Sequence, residues 1–247
     1  MTGPPWASVA QPGSTRIRPA LAVSVLVLAV YNVTRTLYIP VSWHLATSLL
    51  VAALLGGVAW WARLDATELG LHSDHHPSGA RWGFGALALV TTVVAAFGIV
   101  TSRLGTSEGA LDDPRLKGPL SGLLYETLVN TPFGTVVLEE FAFRGVLLAL
   151  LLRLLSARRA VLVSSALFGC WHIIPTLTTA AGNGALDALL GLPGGLLLVV
   201  VGNVLVTGLA GVVFCVLRIR SGSLLAPALA HLATNDASFV VGWLSNH

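Results

Sequence analysis

Residues 194–217 read GGLLLVVVGNVLVTGLAGVVFCVL, with no charged side chain and only Asn203 and Thr207 as polar interruptions. As a helix this run is about 36 Å long, enough to cross a hydrocarbon core of roughly 30 Å. A helix that is apolar all round has no face to offer to water. Arg218 and Arg220 follow at once and mark its end. The run is therefore a transmembrane span.

Six further apolar segments have comparable character, at 20–39, 41–61, 82–101, 124–152, 160–181 and 224–244. The expected fold is all-α: a polytopic transmembrane helix bundle of about seven spans (six to eight) around an intramembrane polar cavity. Composition agrees, since 55% of the 247 residues are hydrophobic and 10% are charged. Soluble domains carry roughly 25% charge, so a water-soluble enzyme, a disordered chain and a coiled coil are excluded. The net charge of +3 is too small and too scattered for nucleic-acid binding. Cys170 and Cys215 lie in apolar runs and read as small buried hydrophobes, not as a disulfide.

Three regions follow: a polar tail at 1–19, N-terminal spans and loops at 20–118, and a core at 119–245. The first apolar run is followed by Arg35 and not by a small-residue cleavage site, so it reads as a retained span. The 124–152 segment is too long for one straight crossing, and Pro132 is expected to kink it or split off an elbow. Residues 62–81 read as a loop with a short interfacial helix. That loop holds Asp74 with His72, His75 and His76, which read as solvated and not as a metal site. Arg16, Arg18, Arg63, Arg81, Arg153, Arg158, Arg159, Arg218 and Arg220 fall on one side, against Arg35, Arg103, Arg115 and Lys117 on the other. This bias places the N-terminus in the cytoplasm and the protein in a cytoplasmic membrane. The Arg, Ala, Leu and Gly bias fits a GC-rich bacterial genome.

A charge at mid-bilayer costs at least ~2.5–3.5 kcal/mol, so each one needs a reason. The intramembrane set is Glu139, Glu140 and Arg144, with Glu126 and Asp236 as lesser members. Glu139 lies about 21 Å from the Arg153 boundary, and His172 about 20 Å from Arg159. His231 and Asn235 lie about 17 and 23 Å from Arg220. Four polar groups on three spans thus reach nearly one depth. Glu140 and Arg144, four residues apart, share a helix face and can pair. Glu139 then points elsewhere and stays available. Asn32, Arg35, His44 and Asn203 read as interhelical bonding groups. Glu126 and Asn130 are placed at the cavity mouth. Trp43, Trp60, Trp61, Trp82 and Trp243 read as interface anchors.

The stretch 138–145, LEEFAFRG, matches an E-E-x-x-x-R motif. The stretch 168–172, FGCWH, matches F-x-x-x-H, and 231–235, HLATN, matches H-x-x-x-N. Together, in this order and on three apolar spans, they resemble the CPBP (ABI) family of intramembrane proteases, which includes the type II CAAX prenyl endopeptidases. The resemblance implies an endopeptidase acting on membrane-associated proteins or peptides; the eukaryotic family substrate is a prenylated C-a-a-X terminus. It implies that Glu139 and His172 activate water and that His231 and Asn235 stabilise an oxyanion. It casts Glu140 and Arg144 as supporting residues. No cofactor is expected in this reading. The competing chemistry is a zinc site on Glu139, His172 and His231. Two other classes stand beside it: a bacteriocin-immunity or partner-binding membrane protein, and a proton-coupled transporter using the two glutamates and Arg144 as a relay.

Overall fold

A computed structural model describes residues 15–103, 118–180, 186–245 and 247. Among these, the long helices are α1 (Ile17–Leu37), α2 (His44–Trp61), α3 (His76–Arg103), α4 (120–152), α5 (Ala157–Thr179), α6 (Gly195–Ser221) and α7 (Leu225–Ser245). Five helices are long and apolar enough to cross a membrane by length and composition, namely α1, α2, α3, α5 and α6. The remaining two, α4 and α7, carry the polar motif residues other than His172 of α5. Most of the polar tail at 1–19 and most of the 102–120 loop, with Arg115 and Lys117, lie outside the described residues. The molecule is apolar on the outside, where Leu26, Leu54, Leu89, Phe97, Leu197 and Leu209 are exposed. That surface suits lipid and not water, and the chain is an integral membrane protein of all-α architecture.

The fourth span is neither split nor turned into an elbow. Helix continues through 120–152, with wide π-helical turns at Glu126–Asn130, Pro132–Val136 and Phe141–Leu147. Proline has no N–H and crowds the carbonyl four residues back in an α-turn; wide turns on either side of Pro132 absorb that conflict. Two carbonyls inside these turns accept bonds from neighbouring helices. Ser48 Oγ donates to the Gly134 carbonyl at 2.6 Å, and Ser164 Oγ donates to that of Phe143 at 2.8 Å.

The third helix starts at His76, earlier than the expected 82, because the loop before it is stapled down. Asp65 caps the single turn Ala66–Leu69 through a reciprocal pair with Glu68. Arg153 grips both Glu68 oxygens, at 2.7 and 2.6 Å, and also reaches the carbonyls of Ala62 and Arg63. Arg218 Nη2 donates to the Thr67 and Glu68 carbonyls. Arg16 Nη1 reaches the Trp61 carbonyl. The arginine-marked helix ends therefore gather on one face of the bundle. Gly70 turns the loop at φ 74, where a Cβ would strike the Arg218 guanidinium.

Helices α3 and α7 run side by side in the same direction. A Cβ on Gly79 would meet Ser223, one on Gly83 would meet Leu229 and the Leu225 carbonyl, and one on Gly98 would meet Val241. Small residues at helical spacing allow such close approach, which is the main attractive force between helices in lipid. Helices α5 and α6 use the same device, with Gly169 against the Val204 carbonyl and Gly211 against Ser165. Among the residues read as bonding groups, Asn203 donates to Thr176 Oγ1 at 2.6 Å. Arg35 reaches the Gly134 carbonyl and Thr135. His44 bonds only locally, to the Ile39 carbonyl. Trp43, Trp60, Trp61 and Trp82 are exposed, as anchors should be. Cys215 is buried, but Cys170 is exposed, in a cavity it lines with Val25 and Ala29 of α1, and corrects the expectation of burial there; both are free thiols. Replacing Gly83 by Ile should separate α3 from α7 and cost about 1–3 kcal/mol, read as a lowered unfolding midpoint in detergent micelles.

Candidate active site

The polar residues of α4 and α7 meet inside the bundle. Glu139, Glu140, Arg144 and His231 are 3%, 2%, 1% and 5% exposed, so none is solvated from the surface. Arg144 Nη1 donates to Glu140 Oε1 at 2.9 Å, as the four-residue spacing requires. His231 Nδ1 lies 2.8 Å from the same oxygen. A third support comes from aromatic faces. The Arg144 guanidinium carbon sits 3.9 Å from the Phe168 ring centroid and 4.9 Å from that of Phe214. A planar guanidinium is weakly hydrated and stacks well on such faces. Phe214 in turn stacks on the His231 ring, with centroids 5.1 Å apart.

Glu139 occupies a different environment from its neighbour. Its Oε1 accepts a bond from Trp171 Nε1 at 3.0 Å. Its Oε2 is buried without a hydrogen-bond partner and lies 3.9 Å from His231 Nε2. That gap is too long for a direct bond and short enough for a bridging molecule. A buried carboxylate oxygen left open in this way is costly unless something binds there.

Trp171 is positioned by a defect in α5. Pro175 has no N–H to give to the Trp171 carbonyl four residues earlier. Asn32 of α1 fills that vacancy, donating from Nδ2 at 2.9 Å. His172 sits at the resulting break, at φ −86 and ψ −2. Its own carbonyl is held by Thr176 Oγ1 at 2.6 Å. His172 Nδ1 is 2.8 Å from the Phe168 carbonyl, which can only accept, so Nδ1 carries the proton and Nε2 is left for other use.

The sequence-derived set is thus partly assembled. Glu140, Arg144 and His231 form one bonded group, with Glu139 facing His231. The close partner of Glu139 is Trp171, the residue before His172. Phe168 packs against both imidazoles, with centroids 4.8 Å from His172 and 5.9 Å from His231. Asn235 lies one turn beyond His231 on α7 and is half-buried. Asn130 Nδ2 donates to Glu126 Oε2 at 2.8 Å, so these two pair with each other. Asp236 faces Thr131 of α4. His72 faces Asp74 at 3.7 Å, and the ring of His75 packs against Gly222.

Of the three groups considered for zinc, His231 Nε2 lies 3.9 Å from Glu139 Oε2. Each histidine has Nδ1 engaged and Nε2 open, and Phe168 packs against both rings. Among the described residues no group of three His, Cys, Asp or Glu side chains comes together as a metal ion needs. Sequence reasoning gave no role to Trp171 or Phe214, took Phe168 only as a motif position, and read Asn32 as an interhelical bonding group, which it is. The signal for Trp171 was Pro175, four residues on.

The Glu140–Arg144 pair should behave as a unit. Arg144→Met alone should cost about 3–5 kcal/mol by leaving a buried carboxylate without its guanidinium. Combining it with Glu140→Leu should restore part of the loss, and a denaturant series on the two single variants and the double variant measures the coupling.

Comparison with known proteins gives one match. Residues 121–236 match the family model described as type II CAAX prenyl endopeptidase Rce1-like. No curated protein and no solved structure matches the chain. The matched range covers just under half the chain and contains every motif residue of α4, α5 and α7. Over residues 121–236 the chain is similar to the Rce1-like type II CAAX prenyl endopeptidases, which supports a place in the CPBP group.

Proposed function

We propose that this protein hydrolyses peptide bonds of membrane-associated proteins or peptides, with Glu139 as the general base. The observation that carries the reading is the open Oε2 of Glu139, buried and 3.9 Å from His231 Nε2. Amide hydrolysis needs a base for water, stabilisation of an oxyanion and a proton for the leaving amine. Glu139 is the carboxylate that has no cationic partner of its own on α4, because Arg144 is taken by Glu140. Trp171 fixes one oxygen and so aims the other.

In this mechanism Oε2 removes a proton from water while His172 Nε2 orients it. The resulting hydroxide attacks the scissile carbonyl carbon. His231 Nε2–H and the Asn235 amide donate to the oxyanion. Collapse of the tetrahedral intermediate breaks the C–N bond, and the proton held by Glu139 passes to the departing amine. His231 then donates from both nitrogens, Nδ1 to Glu140 and Nε2 to the oxyanion, which requires an imidazolium. With that charge, two carboxylates face two cations and the buried cluster is neutral overall. Such balance is what makes burial of four ionisable groups tolerable.

The reading needs no metal, and we place the arginine-rich face in the cytoplasm. Glu139→Gln keeps an acceptor for Trp171 and should remain folded, while kcat falls by roughly 10²–10⁴-fold. Cleavage of a membrane-peptide library at undiminished rate by that variant would refute the role of Glu139. Exhaustive chelation of the purified protein should leave activity intact; loss restored only by zinc would overturn the metal-free mechanism.

A further inference from the structure

A second cavity, of about 820 Å³, opens between α3, α6 and α7. Its walls are apolar: Gly85, Ala86 and Leu89 of α3 face Val213, Phe214 and Leu217 of α6. Arg81 stands at one end of it, exposed, beside the exposed Trp82. That end is the arginine-rich face of the bundle, because Gly79 lies against Ser223 and Leu217 precedes Arg218. From Arg81 the groove runs along α3 to Val90. Nine residues of helix are about 14 Å, close to half of a hydrocarbon core of roughly 30 Å.

We propose that this groove binds one acyl chain of an anionic phospholipid, with the lipid phosphate on Arg81. Three features choose this occupant. An extended peptide would bring unpaired N–H and C=O groups against a wall whose polar groups are Arg81, Thr234 and the Trp82 indole N–H, and a hydrocarbon chain brings none. The length matches one leaflet. The cation and the neighbouring indole stand where a headgroup lies, and a basic residue there favours negative charge. The bound chain lies against Phe214, whose ring also stacks on His231 and faces Arg144. The lipid is therefore packed against the outer wall of the buried charge cluster. This assignment stands whether or not the chain cleaves peptides.

The full-length protein in equimolar phosphatidylglycerol and phosphatidylcholine nanodiscs provides the test, with lipid retained after mild detergent extraction counted by mass spectrometry. Wild type should retain phosphatidylglycerol in preference. Arg81→Gln should lower that preference about fivefold, the worth of one basic residue at a membrane surface. Gly85→Leu should remove retained lipid of both kinds, since a Cβ at Gly85 meets nothing within 4 Å and the side chain grows into open space. Both variants should stay monodisperse. Unchanged enrichment in Arg81→Gln or unchanged retained lipid in Gly85→Leu overturns the proposal, as does displacement of the lipid by inorganic phosphate alone.

Discussion

The structure depends on how one buried arginine is kept. Arg144 is 1% exposed in a helix surrounded by apolar neighbours, a position that ordinarily excludes charge. Glu140 neutralises it through a 2.9 Å bond, and Phe168 and Phe214 cover it with ring faces. These partners come from α4, α5 and α6, and the His231 that shares Glu140 comes from α7. Four helices are thus tied to one guanidinium–carboxylate pair. Such a pair contributes little net stability compared with a well-packed apolar core. Its contribution is specificity: α5, α6 and α7 have to meet α4 at this level, since any other register leaves the pair without its aromatic and imidazole cover in lipid.

The same constraint separates the two adjacent glutamates. Glu140 is used up by Arg144 and His231, while Glu139 turns to Trp171 and keeps an oxygen open. Neighbours in sequence acquire different chemistry because a helix points them in different directions and the bundle offers each a different wall. Backbone irregularities support this. Pro175 frees the Trp171 carbonyl for Asn32, and the wide turns of α4 carry the motif through the span without a break. Defects in regular helix lie beside the residues with the most demanding positions, a pattern common at functional sites.

Much of the design was legible before any coordinates. The span pattern, the arginine-marked ends and the Glu140–Arg144 pairing follow from helix geometry and from the cost of charge in lipid. The depth argument brought His231 to the level of the glutamates, and the two do meet. It did not foresee the hydrogen-bond partner of Glu139: Pro175 breaks α5 beside Trp171, and the indole donates to the carboxylate. At 124–152, where Pro132 was expected to kink the helix or split off an elbow, the helix is continuous and wide turns flank the proline. In both places the outcome hinged on which neighbouring group could satisfy a freed backbone atom.

The sequence by itself determined that this is a membrane protein, which spans it has, which few charges are forced inside, and which of them pair along one helix. Hydropathy and helical spacing are local properties, so local residues suffice to decide them. The tertiary structure alone decided that His231 bonds Glu140 and only faces Glu139, that Phe168 and Phe214 cover Arg144, and that a groove beside α3 ends at Arg81. These depend on how close two helices come and which faces they turn to each other. Approach distances are set by glycines and by irregular turns acting between helices, and no single stretch of sequence holds both sides of such a contact.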